Sequence, residues 1–170
     1  MTQTFRLGDF CEVFIGKHLD VTNSSNDNLV RIINSQDINK DLISKLDIEK
    51  VYIENDLRKL KELQNNDIIF SRYFSNNMQF AILKDIPYAI VLPSNTVICI
   101  RVIDNSIDPW YLKIFLESPN GQMLLESLSK GKLVKNIYIK DIEDLEIPFL
   151  SQEEQNLIVS EYKAKKGYIK

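Results

Sequence analysis

Short apolar runs separated by polar or proline-containing breaks fill most of this chain, and strand-like runs outnumber helical ones. Phe10-Cys11-Glu12-Val13-Phe14-Ile15 reads as a strand stopped by Gly16, and the polar cluster Asn23 to Asn28 as a loop. Leu29 to Ile33 is a β-branched strand running into a turn at Asn34 to Asp37. Residues 55–63 place Leu57, Leu60 and Leu63 at helical spacing among charged neighbours, which predicts a short amphipathic helix. From Asp67 onward the pattern is strongly β: Ile68 to Phe70, Phe80 to Leu83, Tyr88 to Leu92 and Thr96 to Ile103 follow one another across polar or proline breaks. Strands this close in sequence favour antiparallel pairing, because parallel crossovers need a dozen or more residues. Two helices follow, opened by Asp108-Pro109 and Ser118-Pro119, each a capping residue with proline at the first helical position. Leu112, Phe115 and Leu116 form the expected buried stripe of the first, and Met123, Leu124 and Leu128 that of the second. Val134 to Ile139 and Leu145 to Ile147 read as short strands. Ser151-Gln152-Glu153-Glu154 is a capping box opening a final helix through about Lys166, with Leu157, Ile158 and Tyr162 on one stripe. The fold class is therefore α+β: strand-rich, mostly antiparallel, with peripheral helices and a C-terminal helix.

Composition removes many functions. The chain has 170 residues, 21 basic against 24 acidic side chains, and so suits one domain. No apolar run approaches the ~20 residues that span a bilayer, and Met1 to Arg6 lacks the layout of a signal peptide. Cys11 and Cys99 lie far apart inside apolar runs, which excludes a disulfide framework, a zinc ribbon and a CxxC redox motif. A reducing, cytoplasmic setting with no membrane partner is the expectation. His18 is the single histidine, so two-histidine metal sites are impossible. Glycines 8, 16, 121, 131 and 167 make neither a dinucleotide fingerprint nor a Walker A loop.

Four segments carry groups that could do chemistry. Asp108-Pro109-Trp110-Tyr111 resembles the Asp-Pro-Pro-Tyr loop of adenine methyltransferases, but a helix cap followed by core aromatics explains it as well, and no cofactor loop lies upstream. The acidic stretch Asp141 to Glu154 alternates with Ile142, Leu145, Ile147 and Phe149, as a solvated face does. Ser71-Arg72-Tyr73-Phe74-Ser75-Asn76-Asn77 joins two buried strands. Arg72, Tyr73, Ser75, Asn76 and Asn77 offer a guanidinium fork, amides, a hydroxyl and a ring able to read base edges. Lys130, Lys132, Lys135 and Asn136 surround a glycine turn suited to phosphate contacts, as do Lys17 and His18 beside Gly16. The net charge of −3 argues against indiscriminate binding to nucleic acid.

The order of the segments carries a resemblance. Leu7-Gly8-Asp9, Ile15-Gly16-Lys17 and Arg31-Ile32-Ile33-Asn34-Ser35-Gln36-Asp37-Ile38 resemble the opening of a target-recognition domain from the specificity subunits of type I restriction–modification systems. Asn66-Asp67-Ile68-Ile69-Phe70-Ser71-Arg72 is similar to that family's Gly-Asp-Ile-Leu strand ending in arginine. Ile100-Arg101-Val102, Asp108 to Leu112 and Leu116 to Gly121 look like its middle helices and their approach. The tail, Ile139 to Pro148 followed by Ser151-Gln152-Glu153-Glu154-Gln155 and Ile158, is characteristic of the family. Two departures stand out: Asn66 occupies the glycine position, and Tyr73-Phe74 replaces the glycine often found after the arginine.

The resemblance implies a non-catalytic target-recognition domain over residues 1–151 and the start of a spacer helix over 152–170, half a subunit or a truncated piece. It implies sequence-specific reading of one half of a bipartite site in double-stranded DNA. It also implies docking to an adenine methyltransferase subunit, with S-adenosylmethionine on that partner and no cofactor here. A restriction subunit and a second specificity half would be further partners. Two alternatives remain at this point: the recognition domain of a fused type II methyltransferase, and a protein–protein module without DNA, which the acidic pI of 5.3 alone would suggest.

Overall fold

The structure, a computed structural model, describes residues 3–86, 89–131, 133 and 135–168. Strand β1 (Thr4–Arg6) leads into the short helix α1 (Leu7–Phe10) and β2 (Cys11–Ile15). Then come β3 (Val21–Thr22), β4 (Asn28–Ile33), β5 (Leu42–Ser44), β6 (Lys50–Ile53), β7 (Ile68–Ser71), β8 (Phe80–Lys84), β9 (Val91–Pro93) and β10 (Val97–Val102). Helices α2 (Pro109–Glu117), α3 (Pro119–Ser127) and α4 (Ile139–Glu143), strand β11 (Glu146–Pro148) and helix α5 (Gln152–Lys165) complete the chain. The main sheet runs β2-β10-β7-β8-β5, a smaller one β3-β6-β4-β9, and β1 pairs with β11.

The main sheet is apolar on both faces. Along β10, Ile98 and Ile100 join Phe70, Phe80, Leu112 and Leu116 in one core, while Val97 and Cys99 turn to Ile33, Ile43, Ile69 and Leu83 in another. Alternate residues of a strand point to opposite faces, so burial of both faces requires the unbroken apolar runs that mark β7, β8 and β10 in the sequence. The sheet is thus a middle layer, with α2 packed on β8 and the smaller sheet's Ile33 on the other side.

Both proline-opened helices form as their signals predict. Asp108 accepts the Trp110 N–H at 2.8 Å, and Ser118 that of Gly121 at 3.2 Å. Tyr111 is buried with its hydroxyl donating to the Pro148 carbonyl, and burial pushes its pKa up to about 12. The methyltransferase-like tetrapeptide is therefore a cap and core element here. Ser151 caps α5 through the Glu154 N–H, and Gly167 (φ +78°) closes it, the Tyr168 N–H returning to the Lys163 carbonyl. Beneath α5 lies a fully buried Lys113. Its ammonium donates to Asp41 at 2.7 Å and to Glu117, and sits over the Trp110 and Tyr162 rings, while the Tyr168 hydroxyl donates to Asp41 at 3.0 Å.

Several expectations need correction. Residues 55–63 are not a helix: only Leu57–Lys59 make a single 3-10 turn capped by Asp56. The chain then runs extended, because the Leu63 N–H is taken by the Val91 carbonyl. Of the strand expected over Val134 to Ile139, the described residues 135–139 do not form one. Asn136 makes an isolated bridge to Tyr73, and Ile139 opens α4, whose Ile142 is the buried residue; Val134, like Tyr88, lies outside the described residues. Of the stripe expected for α3, Leu124 and Leu128 do pack against the core but Met123 is exposed; the fully buried positions are Gly121 and Leu125, and a side chain at 121 would sit 2.0 Å from the Phe115 carbonyl of α2. The buried face of α5 is Gln155 and Val159, with Leu157 exposed. Gln155 is drawn in by three hydrogen bonds of 2.8–2.9 Å to Asp108 N–H and the Ser106 and Leu150 carbonyls. Strands β1, β3, β5 and β6 were not expected. Among the described pairings β4–β9 and β5–β8 are parallel and the rest antiparallel, as the fold class requires.

Cys11 and Cys99 are both free and buried. Burial, helped by Asp104, raises the Cys11 thiol to about 12, and burial raises Cys99 likewise. Among the described residues no helix is long and apolar enough to cross a membrane, and no group of acidic, cysteine or histidine side chains is placed to hold a metal.

Candidate nucleic-acid interface

Three adjacent strands of the main sheet, the edge strand β2 with β10 and β7, deliver candidate residues to one end of the molecule. β2 and β7 both pair antiparallel with β10, Ile15 and Phe70 lying opposite Ile98 from either side. Lys17-His18 and Arg72-Tyr73 therefore follow strand ends two spacings, about 10 Å, apart. The turn Pro93 to Thr96 that feeds β10 lies between them. The Gly16 N–H donates to the Val97 carbonyl at 3.1 Å, and the Arg72 N–H to the Thr96 carbonyl at 2.9 Å.

That packing needs glycine at 16. A Cβ there would stand 2.1 Å from the Ser94 carbonyl oxygen and 2.2 Å from that of Pro93, both main-chain atoms that cannot swing away. Gly16→Ala is expected to lower stability by about 1–3 kcal/mol, the range for forcing atoms into a packed site, as read by chemical denaturation; an unchanged midpoint would mean that the turn is loosely held.

The two loops chosen on separate grounds meet. Tyr73 bridges Asn136, the Phe74 N–H donates to the Lys135 carbonyl at 2.8 Å and the Ile137 N–H to the Arg72 carbonyl at 2.7 Å. Phe74 packs against the core and anchors the loop, leaving Tyr73, Ser75, Asn76 and Asn77 exposed. Asn77 has φ +57°, a left-handed turn residue that asparagine tolerates. Two buried polar atoms at this junction have no hydrogen-bond partner among the described residues: the Arg72 Nε donor and the Asn136 Oδ1 acceptor. Such orphans are rare in folded proteins, and each costs about 1–3 kcal/mol.

The cations here are met by carbonyls rather than carboxylates. Arg72 donates to Asn95 O at 3.2 Å, Lys135 to Ser129 O at 3.1 Å and Lys17 to Lys59 O at 3.0 Å. Elsewhere Arg6, Lys40 and Lys140 pair with aspartates. Among the described residues Arg72, Lys135 and Lys17 thus have no carboxylate partner, in a chain whose net charge is −3. His18 faces Asp20 at 3.2 Å and Lys130 is exposed; Lys132 lies outside the described residues. The break at Pro93 to Asn95 is legible in the sequence, but its closeness to Arg72 exists only through the β7–β10 register. In the acidic stretch, Ile142, Leu145 and Ile147 are buried while Asp144 and Glu146 pair with Arg6 and Thr4, a solvated face as expected.

The comparisons agree with one another. A family model described as the type I restriction modification DNA specificity domain matches residues 2–162. A solved chain from work on complex assembly and conformational transition of the type I R-M system superposes with a TM-score of 0.69 at 14% identity, over 98% of this chain and 38% of that one. The HsdS subunit from Thermoanaerobacter tengcongensis gives 0.61 at 19% identity, over 98% and 37%. The type I S subunit from M. genitalium gives 0.59 at 19%, over 96% and 38%. This chain thus spans less than two-fifths of each solved chain. No curated protein matches. The family model covers nearly the whole sequence, and the chain therefore belongs to the type I restriction–modification DNA specificity family.

Proposed function

We propose that this domain reads one half of a bipartite site in double-stranded DNA, with Arg72, Tyr73, Ser75, Asn76 and Asn77 entering the major groove. Lys17, His18, Lys130, Lys132, Lys135 and Asn136 hold the flanking phosphates. The observation that carries the reading is the meeting of residues 72–74 with 135–137, which puts a donor fork and orphaned polar atoms beside Lys135, a cation with no carboxylate partner among the described residues. Arginine and asparagine present the bidentate patterns that discriminate guanine and adenine, whereas lysine on phosphate adds affinity without sequence information. In the same proposal the domain docks a modification subunit that methylates adenine with S-adenosylmethionine, in the cytoplasm. A restriction subunit and a second specificity half complete the assembly, and residues 152–170 begin the spacer helix.

Binding to matched and mismatched duplexes at several salt concentrations, with the modification subunit present, tests it. Arg72→Ala is expected to cost about 1–3 kcal/mol on the preferred duplex and to flatten the preference over others. Lys135→Ala should weaken all duplexes alike and reduce the salt slope by about one unit. Parallel loss of affinity in both variants, or no change in either, would remove base readout from this loop.

A further inference from the structure

A cleft of about 390 Å³ opens on the other side of the Pro93–Thr96 turn from Arg72. Its walls are apolar, with Phe14, Leu19, Leu60, Leu92 and Pro93, and its rim carries Lys17, Arg58, Lys59 and Lys61. The four cations are not equivalent. Arg58 is held bidentate by Asp56, and Lys61 pairs with Glu12 while lying over the Phe14 ring. Lys17 and Lys59 have no carboxylate partner among the described residues, and both are exposed. The Lys17 ammonium donates to the Lys59 carbonyl at 3.0 Å, tying the end of β2 to the 3-10 turn and bringing the two charges to one mouth.

We infer that Lys17 and Lys59 form a phosphate clamp that grips the DNA strand bordering the groove entered by the Arg72 loop. The inference rests on the proposed readout and adds to it a turn, Leu57–Lys59, which the sequence presents only as part of an amphipathic segment. Geometry favours a backbone over a base. Lys17 follows a strand end about 10 Å from that of Arg72, and the major groove is about 12 Å wide. A loop centred in the groove therefore leaves this mouth beside a bordering strand. The Phe14 ring is unavailable for stacking, since Lys61 and Arg101 lie over it at 4.7 and 5.2 Å. Ammonium groups without a carboxylate partner among the described residues, set on an apolar floor, offer charge without a fixed donor pattern, which suits phosphate and reads no sequence.

Lys17→Ala/Lys59→Ala, with Arg72→Ala as a separate variant, tests the clamp on matched and mismatched duplexes across a salt series. The double variant is expected to lose about tenfold in affinity on every duplex, with a salt slope shallower by about two units, one for each phosphate released. Its unfolding midpoint should fall only slightly, since both side chains are exposed and the one bond lost, from Lys17 to the Lys59 carbonyl, is a surface one. An unchanged slope while wild type binds its preferred duplex overturns the clamp and leaves the readout standing. A loss confined to the matched duplex also overturns it, by making these lysines base readers. A shallower slope with Arg72→Ala silent keeps the clamp and removes the readout, and absence of duplex binding by wild type overturns both. Inorganic phosphate at constant ionic strength separates the sources of the anion: protection of the wild type, but not the double variant, against unfolding by millimolar phosphate would make the cleft a free-anion site instead.

Discussion

Lys113→Met is expected to lower folding stability by about 3–5 kcal/mol, the cost of removing one member of a buried ion group. Lys113 is fully buried between Asp41 and Glu117, so its loss takes the buried cation from two carboxylates at once, leaving Asp41 with the Tyr168 hydroxyl and the half-exposed Lys166 at 3.8 Å, and Glu117 with the Phe80 N–H. A triple variant that also carries Asp41→Asn and Glu117→Gln should recover much of the loss, because no buried charge of the group then remains, only the half-exposed Lys166. The pH dependence separates this from a packing defect. Burial alone raises the Asp41 carboxyl, but the hydrogen bond and charge of Lys113, with the tyrosine hydroxyls, outweigh it and hold Asp41 below the ordinary range. Its stabilising contribution is therefore present above the unfolded value near 3.9 and is lost as pH falls through the lowered one. Glu117 behaves oppositely. Burial raises it despite Lys113, so its contribution is present below the unfolded value and lost as pH rises through the raised one. The deficit of Lys113→Met should accordingly shrink as urea titrations move from neutral pH into the acid range. A deficit independent of pH would assign it to packing alone.

Asp67→Ala should be comparably damaging, about 3–5 kcal/mol. Asp67 is buried and accepts from Arg101 Nε at 2.9 Å, Arg101 Nη2 at 2.7 Å and the Gln64 N–H at 2.7 Å. Its neighbour accounts for a departure from the family pattern. Asn66, where the resemblance expects glycine, has φ +71°. The position demands a left-handed residue, and asparagine is among the few that accept it. Asn66→Gly should retain full stability, whereas Asn66→Val should lose about 1–2 kcal/mol. Denaturant midpoints measure both, and equal midpoints would show that the backbone angle is not what selects the residue.

The legible parts of the fold were those fixed by local chemistry. Asp108-Pro109, Ser118-Pro119 and Ser151 capped helices where they were expected to, and the doubly buried strands β7, β8 and β10 announced themselves by unbroken apolar runs. What failed was decided at a distance. Leu57, Leu60 and Leu63 have helical spacing, but the Val91 carbonyl holds the Leu63 N–H and keeps the segment extended. Leu157 was expected inward because it is apolar, yet Gln155 takes that place by satisfying three main-chain groups. The parallel strand β5 carries only Leu42, Ile43 and Ser44, too short a run to stand out. For the candidate interface, the residue types in each loop were visible, but the bridge from Tyr73 to Asn136 was not. Neither was the part of Lys59, whose position beside Lys17 follows from the failed helix.

The two buried thiols make the chain a silent background for labelling chemistry. Maleimide and disulfide reagents attack thiolates, and both native cysteines are shielded from solvent and held protonated at neutral pH by burial. A single cysteine introduced on the exposed loop, as in Ser75→Cys, can therefore carry a fluorophore or a cross-linker with Cys11 and Cys99 left in place. Cross-linking from that position to thiol-modified bases along a duplex would map which groove the loop occupies, base pair by base pair.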